Sequence, residues 1–164
     1  MAVYKTNVMR ILEQKKIPYT PHEYEHGEEA VDGRHIARLT GQDPARVFKT
    51  LVTRGVSGAY FVFVLPVEAE LDLKKAARAV GEKAVSMIHI RELLPLTGYV
   101  RGGCSPVGMK KAFRTTFAKE AETQAAILVS AGRIGYQIEA APDDLLSLVH
   151  GQVADITMTD EESR

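Results

Sequence analysis

Short amphipathic segments alternate with β-rich runs in the first half of the chain. Thr6 can cap a first helix that Pro18 ends, because its apolar residues fall on one side: Tyr4, Val8, Ile11 and Leu12. The segment from Tyr19 to His26 is predicted to be extended or a turn. A short helix over Gly33 to Leu39, stopped by Gly41, precedes two predicted strands, Val47 to Thr53 and Tyr60 to Leu65. The second strand, YFVFVL, is apolar on both faces and is therefore expected to be central in its sheet.

A helix with clear start and stop signals follows. Asp72 stands at its N-cap, Gly81 at its C-terminal stop, and its apolar stripe has helical spacing: Leu73, Ala76, Ala77 and Val80. The pattern then predicts a strand over Lys83 to Ile90. A short helix over Arg91 to Leu94, ended by Pro95, is expected after it.

The C-terminal part is predicted to hold a hairpin and a last helix. The eleven residues from Gly98 to Gly108 include four glycines and a proline, too many for a regular element. Strands over Ala126 to Ser130 and Tyr136 to Ala140 are expected around the turn Ala131 to Gly135. Pro142 opens a last helix that Gly151 stops. Four of its residues are expected to be buried: Leu145, Leu146, Leu148 and Val149. A final strand is predicted at Val153 to Thr157.

This order of elements favours an α+β fold. Several strands follow one another without a helix between them, so regular βαβ units are not expected. At roughly 150 residues per domain, residues 1–164 are predicted to form one compact domain. Its mixed sheet should be curved, barrel-like and flanked by helices.

Composition changes this picture mainly by exclusion. Hydrophobic residues make up 45% and charged residues 26% of the chain, which excludes the disordered and fibrous classes. The single cysteine, Cys104, cannot form an internal disulfide and fits a reducing compartment. The longest apolar run, Ala59 to Val67, is far shorter than the roughly 20 residues of a membrane span. We therefore expect a cytoplasmic protein without membrane association.

Charge is balanced overall but uneven along the chain. Basic and acidic residues number 21 each, so no global field draws the protein to nucleic acid. One run between Gly98 and Lys119 contains five basic residues and no acid: Arg101, Lys110, Lys111, Arg114 and Lys119. This run is either a solvated face or a local phosphate-facing patch that could orient an RNA end.

Lys49 is the first candidate for chemistry. It stands within VFKTLV and shares a strand face with Val47 and Leu51. A lysine on an apolar face either extends to the surface from an edge strand or is held in a cleft. In a cleft, its ammonium group would be a fixed cation for a carbonyl oxygen or a phosphate.

The glycine-rich segment Gly102 to Lys111, GGCSPVGMKK, is the second candidate. Paired glycines let backbone N–H groups approach a phosphate or an oxyanion closely, although many such loops only make turns. Its spacing matches neither a Walker loop nor a dinucleotide-binding fingerprint. Cys104, within it, would need a paired base or a lowered pKa to be a nucleophile, and no spacing identifies either.

The segment HEYEH formally matches the H-E-x-x-H zinc motif through His22 and His26. That motif requires a helix, which would present both imidazoles to one ion. Gly27 follows at once, the segment lacks an apolar face, and no third ligand is assigned. Surface histidines are the alternative interpretation, and we expect no metal.

Four segments together resemble, in order and spacing, the YbaK family of bacterial aminoacyl-tRNA deacylases: VFKTLV, LDLKKAARAVG, TGYVRGGCSPVGMKK and SAGRIGYQIEAAPDDL. The resemblance runs from about Lys5 to Thr157 and is looser in its first segment. It implies an α+β domain related to the editing insertion of bacterial prolyl-tRNA synthetases. The implied activity is cleavage of a misacylated ester at the tRNA 3′ end, with Cys-tRNA(Pro) as substrate and Cys-tRNA(Cys) as a further candidate.

The resemblance also implies roles for particular residues. The family's strand lysine falls on Lys49 and the first glycine of its GG loop on Gly102, so both are expected to act in catalysis. Four residues are expected to bind or orient substrate: Tyr24, Gly103, Ser130 and Gly132. No cofactor or metal is implied. In the family, the substrate's own thiol or a terminal ribose hydroxyl is thought to attack, so cleavage could be cyclising or hydrolytic.

Two positions depart from the family pattern. Ala131 replaces the usual second-loop glycine, which puts the backbone conformation of that loop in question, and Cys104 stands where relatives often have an aliphatic residue. Three alternatives stay open: a non-catalytic module that binds tRNA or a synthetase, a deacylase for another ester such as Ala-tRNA(Pro), and a zinc hydrolase through His22 and His26. Prolyl-tRNA synthetase is the partner that the family implies, and the oligomeric state is left open.

Overall fold

Within residues 4–24 and 33–159, which the computed structural model describes, the chain forms five α-helices and eight β-strands. The helices are α1 (Asn7–Gln14), α2 (Gly33–Thr40), α3 (Leu73–Val80), α4 (Ile90–Thr97) and α5 (Pro142–Val149). The strands are β1 (Thr20–Glu23), β2 (Phe48–Gly55), β3 (Tyr60–Pro66), β4 (Val85–Met87), β5 (Arg114–Ala118), β6 (Ile127–Ser130), β7 (Tyr136–Ala140) and β8 (Gln152–Ala154). None of the described helices is long and apolar enough to cross a membrane.

The expected α+β class is confirmed, and the strands form two sheets rather than one continuous barrel-like sheet. The larger sheet has the order β4-β2-β3-β5-β8 and is mixed, since β2 pairs antiparallel with its neighbours whereas the β3–β5 and β5–β8 pairs are parallel. The central position of β3 is confirmed, and its residues from Phe61 to Leu65 are buried on both faces.

The smaller sheet has the order β1-β7-β6 and is antiparallel throughout. An isolated parallel bridge between Val47, just before β2, and Leu128 of β6 links it to the larger sheet. Beyond that bridge the described parts of β2 and β6 do not pair. The two sheets therefore separate on one side of the bridge, and this separation creates a cleft.

Helices cover the apolar faces of the larger sheet. The buried side of α1, with Val8, Met9 and Leu12, packs into a core that also contains Phe48 and Phe117. On the opposite face, α3 packs against the second core, whose largest members are Phe61, Phe63 and Leu65. Each core takes alternate residues of β3, because successive side chains in a strand point to opposite faces.

Local capping explains where α1 and α3 begin. The Thr6 hydroxyl accepts a hydrogen bond from the Met9 N–H at 3.2 Å, as predicted, although α1 ends at Gln14, before Pro18. Asp72 Oδ1 accepts from the N–H groups of Lys74 and Lys75 at 2.9 and 3.0 Å. The predicted stop of α3 at Gly81 is also confirmed.

Three predicted boundaries in the second half were wrong. The strand expected over Lys83 to Ile90 is only Val85–Met87, because α4 begins at Ile90. Pro95 does not end α4: it removes one backbone hydrogen bond, but the Gly98 N–H donates to the Leu94 carbonyl at 2.9 Å and closes the last turn. The last strand is Gln152–Ala154, and Thr157 forms only an isolated bridge with Leu71.

An ionic network joins the smaller sheet to the chain segment before β2. Glu139 of β7 is bonded through Oε1 to His22 Nε2 of β1 at 2.8 Å, and through Oε2 to the Arg46 guanidinium. About a quarter of the Glu139 side chain is exposed. The hydrogen bond with His22, reinforced by Arg46, lowers the pKa of Glu139 below its usual value.

We expect Glu139→Gln to destabilise the protein by about 1–2 kcal/mol at pH 7. A carboxylate whose pKa is lowered on folding stabilises the fold above its unfolded pKa and loses that contribution as pH falls through the folded value. The difference between variant and wild type, measured by urea unfolding, should therefore shrink as pH falls below the unfolded pKa of about 4.3 and vanish only below the lowered folded pKa. Glu13→Gln, which breaks the exposed Lys5–Glu13 pair, is the control and should have no measurable effect at either pH. An equal loss at pH 7 and pH 3.5 would contradict this account.

Candidate active site

A cleft of about 1230 Å³ opens where the two sheets separate. Its walls are formed by β2, the turn after β3, the β4–α4 junction, the glycine-rich loop, and the β6–β7 hairpin with Tyr24 beside it. Four of the six residues predicted from the sequence line this cleft: Tyr24, Lys49, Gly102 and Ser130.

One edge of β2 is open toward the cleft. β4 pairs with β2 only along Thr53–Gly55, and the Val52 carbonyl accepts a hydrogen bond from the Ile88 N–H at 3.4 Å. In an antiparallel strand, alternate residues direct both backbone groups to the same side, so those of Thr50 point the same way as those of Val52. No described strand pairs with Thr50 on that side. Its backbone donor and acceptor can therefore meet a ligand.

Lys49 lies on this part of β2, opposite Leu65 of β3. Its side chain is half-buried, and Nζ is 3.5 Å from the carbonyl oxygen of Val67, which also lines the cleft. Glu68 and Glu70 lie on the same wall. The position favours the interpretation of a lysine held at a cleft over that of a lysine extending from an edge strand.

The glycine-rich loop is held in place from beneath by Tyr99. Its hydroxyl donates to the Val107 carbonyl at 2.5 Å, and the Lys110 N–H donates to the Thr97 carbonyl at 2.9 Å. Gly102 lines the cleft with φ = +86°, a conformation that side chains disfavour. The paired-glycine loop thus has a fixed shape at the cleft wall.

The second loop, between β6 and β7, faces the first. The Ser130 hydroxyl accepts a hydrogen bond from the Gly132 N–H at 3.1 Å, which closes the turn. Ala131 is buried, its N–H donates to the Tyr136 carbonyl at 3.0 Å, and its φ is not positive. The departure from the family glycine at this position therefore strains nothing.

Gly103 and Gly132 lie behind the cleft wall rather than on it. A Cβ on Gly103 would stand 3.1 Å from the Ile134 nitrogen and 3.3 Å from the Arg133 Cα, so this glycine allows the two loops to touch. A Cβ on Gly132 would stand 3.0 Å from both the Tyr99 ring and a Val8 methyl group. The two glycines, expected to bind substrate, are placed where they set the shape of the site.

Tyr24 follows β1 directly and is almost completely buried at the cleft. Its N–H donates to the Gly135 carbonyl at 2.9 Å. Burial raises the pKa of its phenol, opposed by a hydrogen bond with the Gly135 backbone, so the hydroxyl stays protonated at neutral pH. Tyr24 therefore offers a fixed phenol at one wall of the cleft.

Sequence reasoning missed Gln137, which pairs with Ser130 across the hairpin. Its side chain is only 4% exposed and lines the cleft, yet its Oε1 has no hydrogen-bond partner among the described residues. The buried Oγ1 of Thr50 on the facing strand has none either. Unsatisfied buried acceptors cost free energy, which a ligand with N–H donors would recover. No signal in the sequence marks this residue, because Gln137 and Glu139 alternate with apolar residues along β7.

Cys104 lines the cleft but is not arranged as a nucleophile. It is 8% exposed, and burial raises the pKa of its thiol to about 12, opposed by a hydrogen bond with Thr97. A thiol with this pKa is protonated and unreactive at neutral pH.

We expect Cys104→Val to keep ester cleavage within a few-fold of wild type, because the position only packs. Loss of a true nucleophile would lower the rate by more than about a thousandfold. In parallel, the native thiol should react far more slowly with iodoacetamide at pH 8 than the urea-unfolded chain. Rapid alkylation of the native protein together with loss of activity would show that the thiol takes part.

Within the described part of the chain, the candidate zinc ligands and the basic run are not arranged as a zinc site or as one phosphate-facing patch. His22 is on a β-strand and bonds Glu139, while His26 lies outside the described residues. The described residues contain no group of three or more side chains suited to hold a metal. The basic run is divided: exposed Arg101 lines the cleft, whereas Arg114 donates to the Val80 carbonyl at 3.2 Å and Lys119 lies 4.0 Å from Asp155.

The chain belongs to the aminoacyl-tRNA editing domain family. Residues 28–148 match the model of that family. The chain is 50% identical over 153 residues to a protein of Enterococcus faecalis named "Putative Cys-tRNA(Pro)/Cys-tRNA(Cys) deacylase EbsC", with 93% of each chain covered.

Two solved structures share the fold at lower identity. One, described as "a putative trans-editing enzyme for prolyl tRNA synthetase", has a TM-score of 0.79 and 23% identity, and the match covers 95% of this chain and 100% of the other. The other, a hypothetical protein, has a TM-score of 0.83 and 19% identity, with 93% and 100% covered. At these identities the likeness establishes the fold.

Proposed function

We propose that this protein is an aminoacyl-tRNA deacylase that clears Cys-tRNA(Pro) by cleaving the ester at the tRNA 3′ end. The observation that carries the proposal is the meeting of Lys49, Gly102, Tyr24 and Ser130, distant in sequence, around one cleft. Membership of the editing family and the name of the E. faecalis relative support the same activity.

The cleft can accelerate ester cleavage by positioning and charge. An aminoacyl ester is already activated, and attack on its carbonyl carbon places negative charge on the carbonyl oxygen before the ribose hydroxyl leaves. The Lys49 ammonium group stabilises that charge or fixes the adjacent phosphate. The Gly102 backbone supports the aminoacyl group, and Tyr24 and Ser130 orient it. When water attacks, the products are the free amino acid and tRNA.

The buried acceptors give the cleft a reason to prefer a free amino group. The α-ammonium group of an aminoacyl ester supplies N–H donors to Gln137 Oε1 and Thr50 Oγ1, which have no partner among the described residues. An N-acylated or peptidyl ester has fewer donors at the same atom and leaves at least one acceptor unsatisfied. The proposed substrate is therefore an ester with an unblocked α-amino group.

A panel of charged tRNAs tests the proposal. Cys-tRNA(Pro) and Cys-tRNA(Cys) should lose their amino acid much faster with the protein than without it, whereas Pro-tRNA(Pro) should decay at its spontaneous rate. Clearance of Ala-tRNA(Pro) alone would assign the protein to alanyl esters. Binding of tRNA without turnover of any ester would contradict the proposal and favour a binding module.

Capture of the tRNA together with prolyl-tRNA synthetase in the cytoplasm is part of the proposal. The chain has no net charge, so phosphate contacts alone should hold a whole tRNA weakly. A synthetase that supplies the remaining tRNA contacts would compensate. Addition of the synthetase should accordingly lower the KM for Cys-tRNA(Pro).

A further inference from the structure

Three side chains form a stacked cluster beside the cleft: Tyr4, Arg133 and Tyr136. The rings of Tyr4 and Tyr136 have centroids 5.3 Å apart and are tilted by 39°. The Arg133 guanidinium carbon lies 4.8 Å from the centroid of the Tyr4 ring, and Nη1 donates to the Tyr4 hydroxyl at 2.6 Å. We name these three residues the stacking cluster.

The stacking cluster is continuous with the candidate active site. Tyr136 lines the cleft, and Arg133 belongs to the loop that Ser130 opens. Tyr4 extends the cluster outward, with 49% of its surface exposed. A molecule that leaves the cleft along this wall would therefore pass from Tyr136 to Tyr4.

The charge of the cluster suits an anionic chain. Arg133 is exposed, donates to the Tyr4 hydroxyl and has no carboxylate partner among the described residues. The Tyr136 hydroxyl is hydrogen-bonded to Glu23, and its pKa is raised by burial and by that carboxylate. The negative charge of Glu23 lies at the hydroxyl of Tyr136, while the positive charge of Arg133 lies over Tyr4. A phosphate would be drawn to the Arg133 end.

We propose that the stacking cluster binds an unpaired base of the single-stranded tRNA 3′ end, next to the terminal nucleotide that carries the ester. Unpaired bases stack on aromatic rings and guanidinium planes, and a neighbouring Arg contacts the phosphate. This inference rests on the proposed function. If the ester lies in the cleft, the nucleotides 5′ of the terminal adenosine leave the cleft beside the stacking cluster. The cluster would thus supply affinity that the neutral chain otherwise lacks.

The test compares two substrates that differ only in the nucleotides beyond the terminal one. Tyr4→Leu should raise the KM for Cys-tRNA(Pro) about tenfold, which corresponds to loss of one base stack, with kcat little changed. Arg133→Gln should raise the KM similarly and reduce its dependence on salt. With cysteinyl-adenosine, which lacks the other nucleotides, both variants should match wild type. Tyr4→Phe keeps the ring and should keep most of the affinity.

A matched control comes from another Arg–Tyr contact in the described part of the chain. Arg54 lies 5.8 Å from the Tyr60 ring, and neither residue lines the cleft. Arg54→Gln removes the same charge from another surface and should leave the KM for tRNA unchanged. If Arg54→Gln raises the KM as much as Arg133→Gln does, the effect is one of net charge and the proposal fails.

A binding measurement separates this inference from the proposed function. The fluorescence anisotropy of a labelled acceptor-stem hairpin without an amino acid measures binding and requires no cleavage. It therefore reports on the stacking cluster even if no ester is turned over. Wild type should bind the hairpin with its CCA end more tightly than the hairpin without it, and Tyr4→Leu should remove that difference. A difference that persists in Tyr4→Leu overturns the proposal. The proposal is also overturned if Tyr4→Leu and Arg133→Gln raise the KM for cysteinyl-adenosine as much as the KM for Cys-tRNA(Pro). It is overturned as well if these variants lose synthetase binding while their RNA binding stays intact.

Discussion

Lys49→Ala should lower the rate of Cys-tRNA(Pro) deacylation by about two to three orders of magnitude, the range found when one preorganised donor to an oxyanion is removed. Its Nζ places a positive charge at the cleft wall, 3.5 Å from the Val67 carbonyl oxygen. The measurement is loss of labelled cysteine from the tRNA under single-turnover conditions. Because the contact between Nζ and the Val67 carbonyl oxygen is long, its loss should change the melting temperature little.

Lys75→Ala is the matched control for this variant. Lys75 is also a partly buried lysine, whose Nζ donates to the Thr157 carbonyl at 2.9 Å and lies 3.5 Å from Asp155, but it does not line the cleft. The control should lose some stability and keep its activity. Similar activity of Lys49→Ala and wild type would show that Lys49 only packs against the sheet.

Gly132→Ala should destabilise the protein by about 2–5 kcal/mol and lower deacylation at the same time. Gly132 has φ = +93°. An alanine with such a left-handed backbone conformation costs about 1–2 kcal/mol. The added Cβ would also stand 3.0 Å from the buried Tyr99 ring and from Val8, and such overpacking costs about 1–3 kcal/mol. Urea unfolding with an unchanged slope measures the loss.

Gly81→Ala separates the two causes. Gly81 also has a positive φ, +74°, but a Cβ there would meet nothing within 4 Å. Gly81→Ala should therefore destabilise the protein only through the left-handed backbone conformation, by about 1–2 kcal/mol, and leave deacylation unchanged. Equal losses of stability in the two variants would show that the contacts with Tyr99 and Val8 do not constrain the second loop.

The sequence predicts those elements whose signals are local. Asp72 and Gly81 mark both ends of α3, and the apolar run of β3 indicates its central position, as the structure confirms. β5 was missed because Arg114–Ala118 carries no alternation or turn signal of its own. It is a strand because it pairs in parallel with β3 and β8, which lie far away in the chain. The same dependence on distant partners explains the misplaced end of β8.

The candidate site is only partly readable from the sequence, for the same reason. Lys49 and the paired glycines can be identified as candidates because a lysine is unusual on an apolar strand face and paired glycines let the backbone approach a ligand. Gln137 carries no such mark, since a glutamine in an alternating strand is usually a solvated residue. Only the fold, which places Gln137 at the cleft, shows that its side chain is buried with an oxygen that has no partner among the described residues. Likewise, the contacts of Gly103 and Gly132 depend on loop packing that no spacing reports.

The most direct test of the central claim is the rate at which Cys-tRNA(Pro) loses cysteine with the wild-type protein in excess, compared with the rate in buffer alone. A deacylase built on this cleft should accelerate the loss at least a hundredfold, since positioning and one fixed cation together contribute at least that much. A rate equal to the spontaneous one, with a folded protein and intact charged tRNA, would contradict the assignment of the cleft as an active site for this ester.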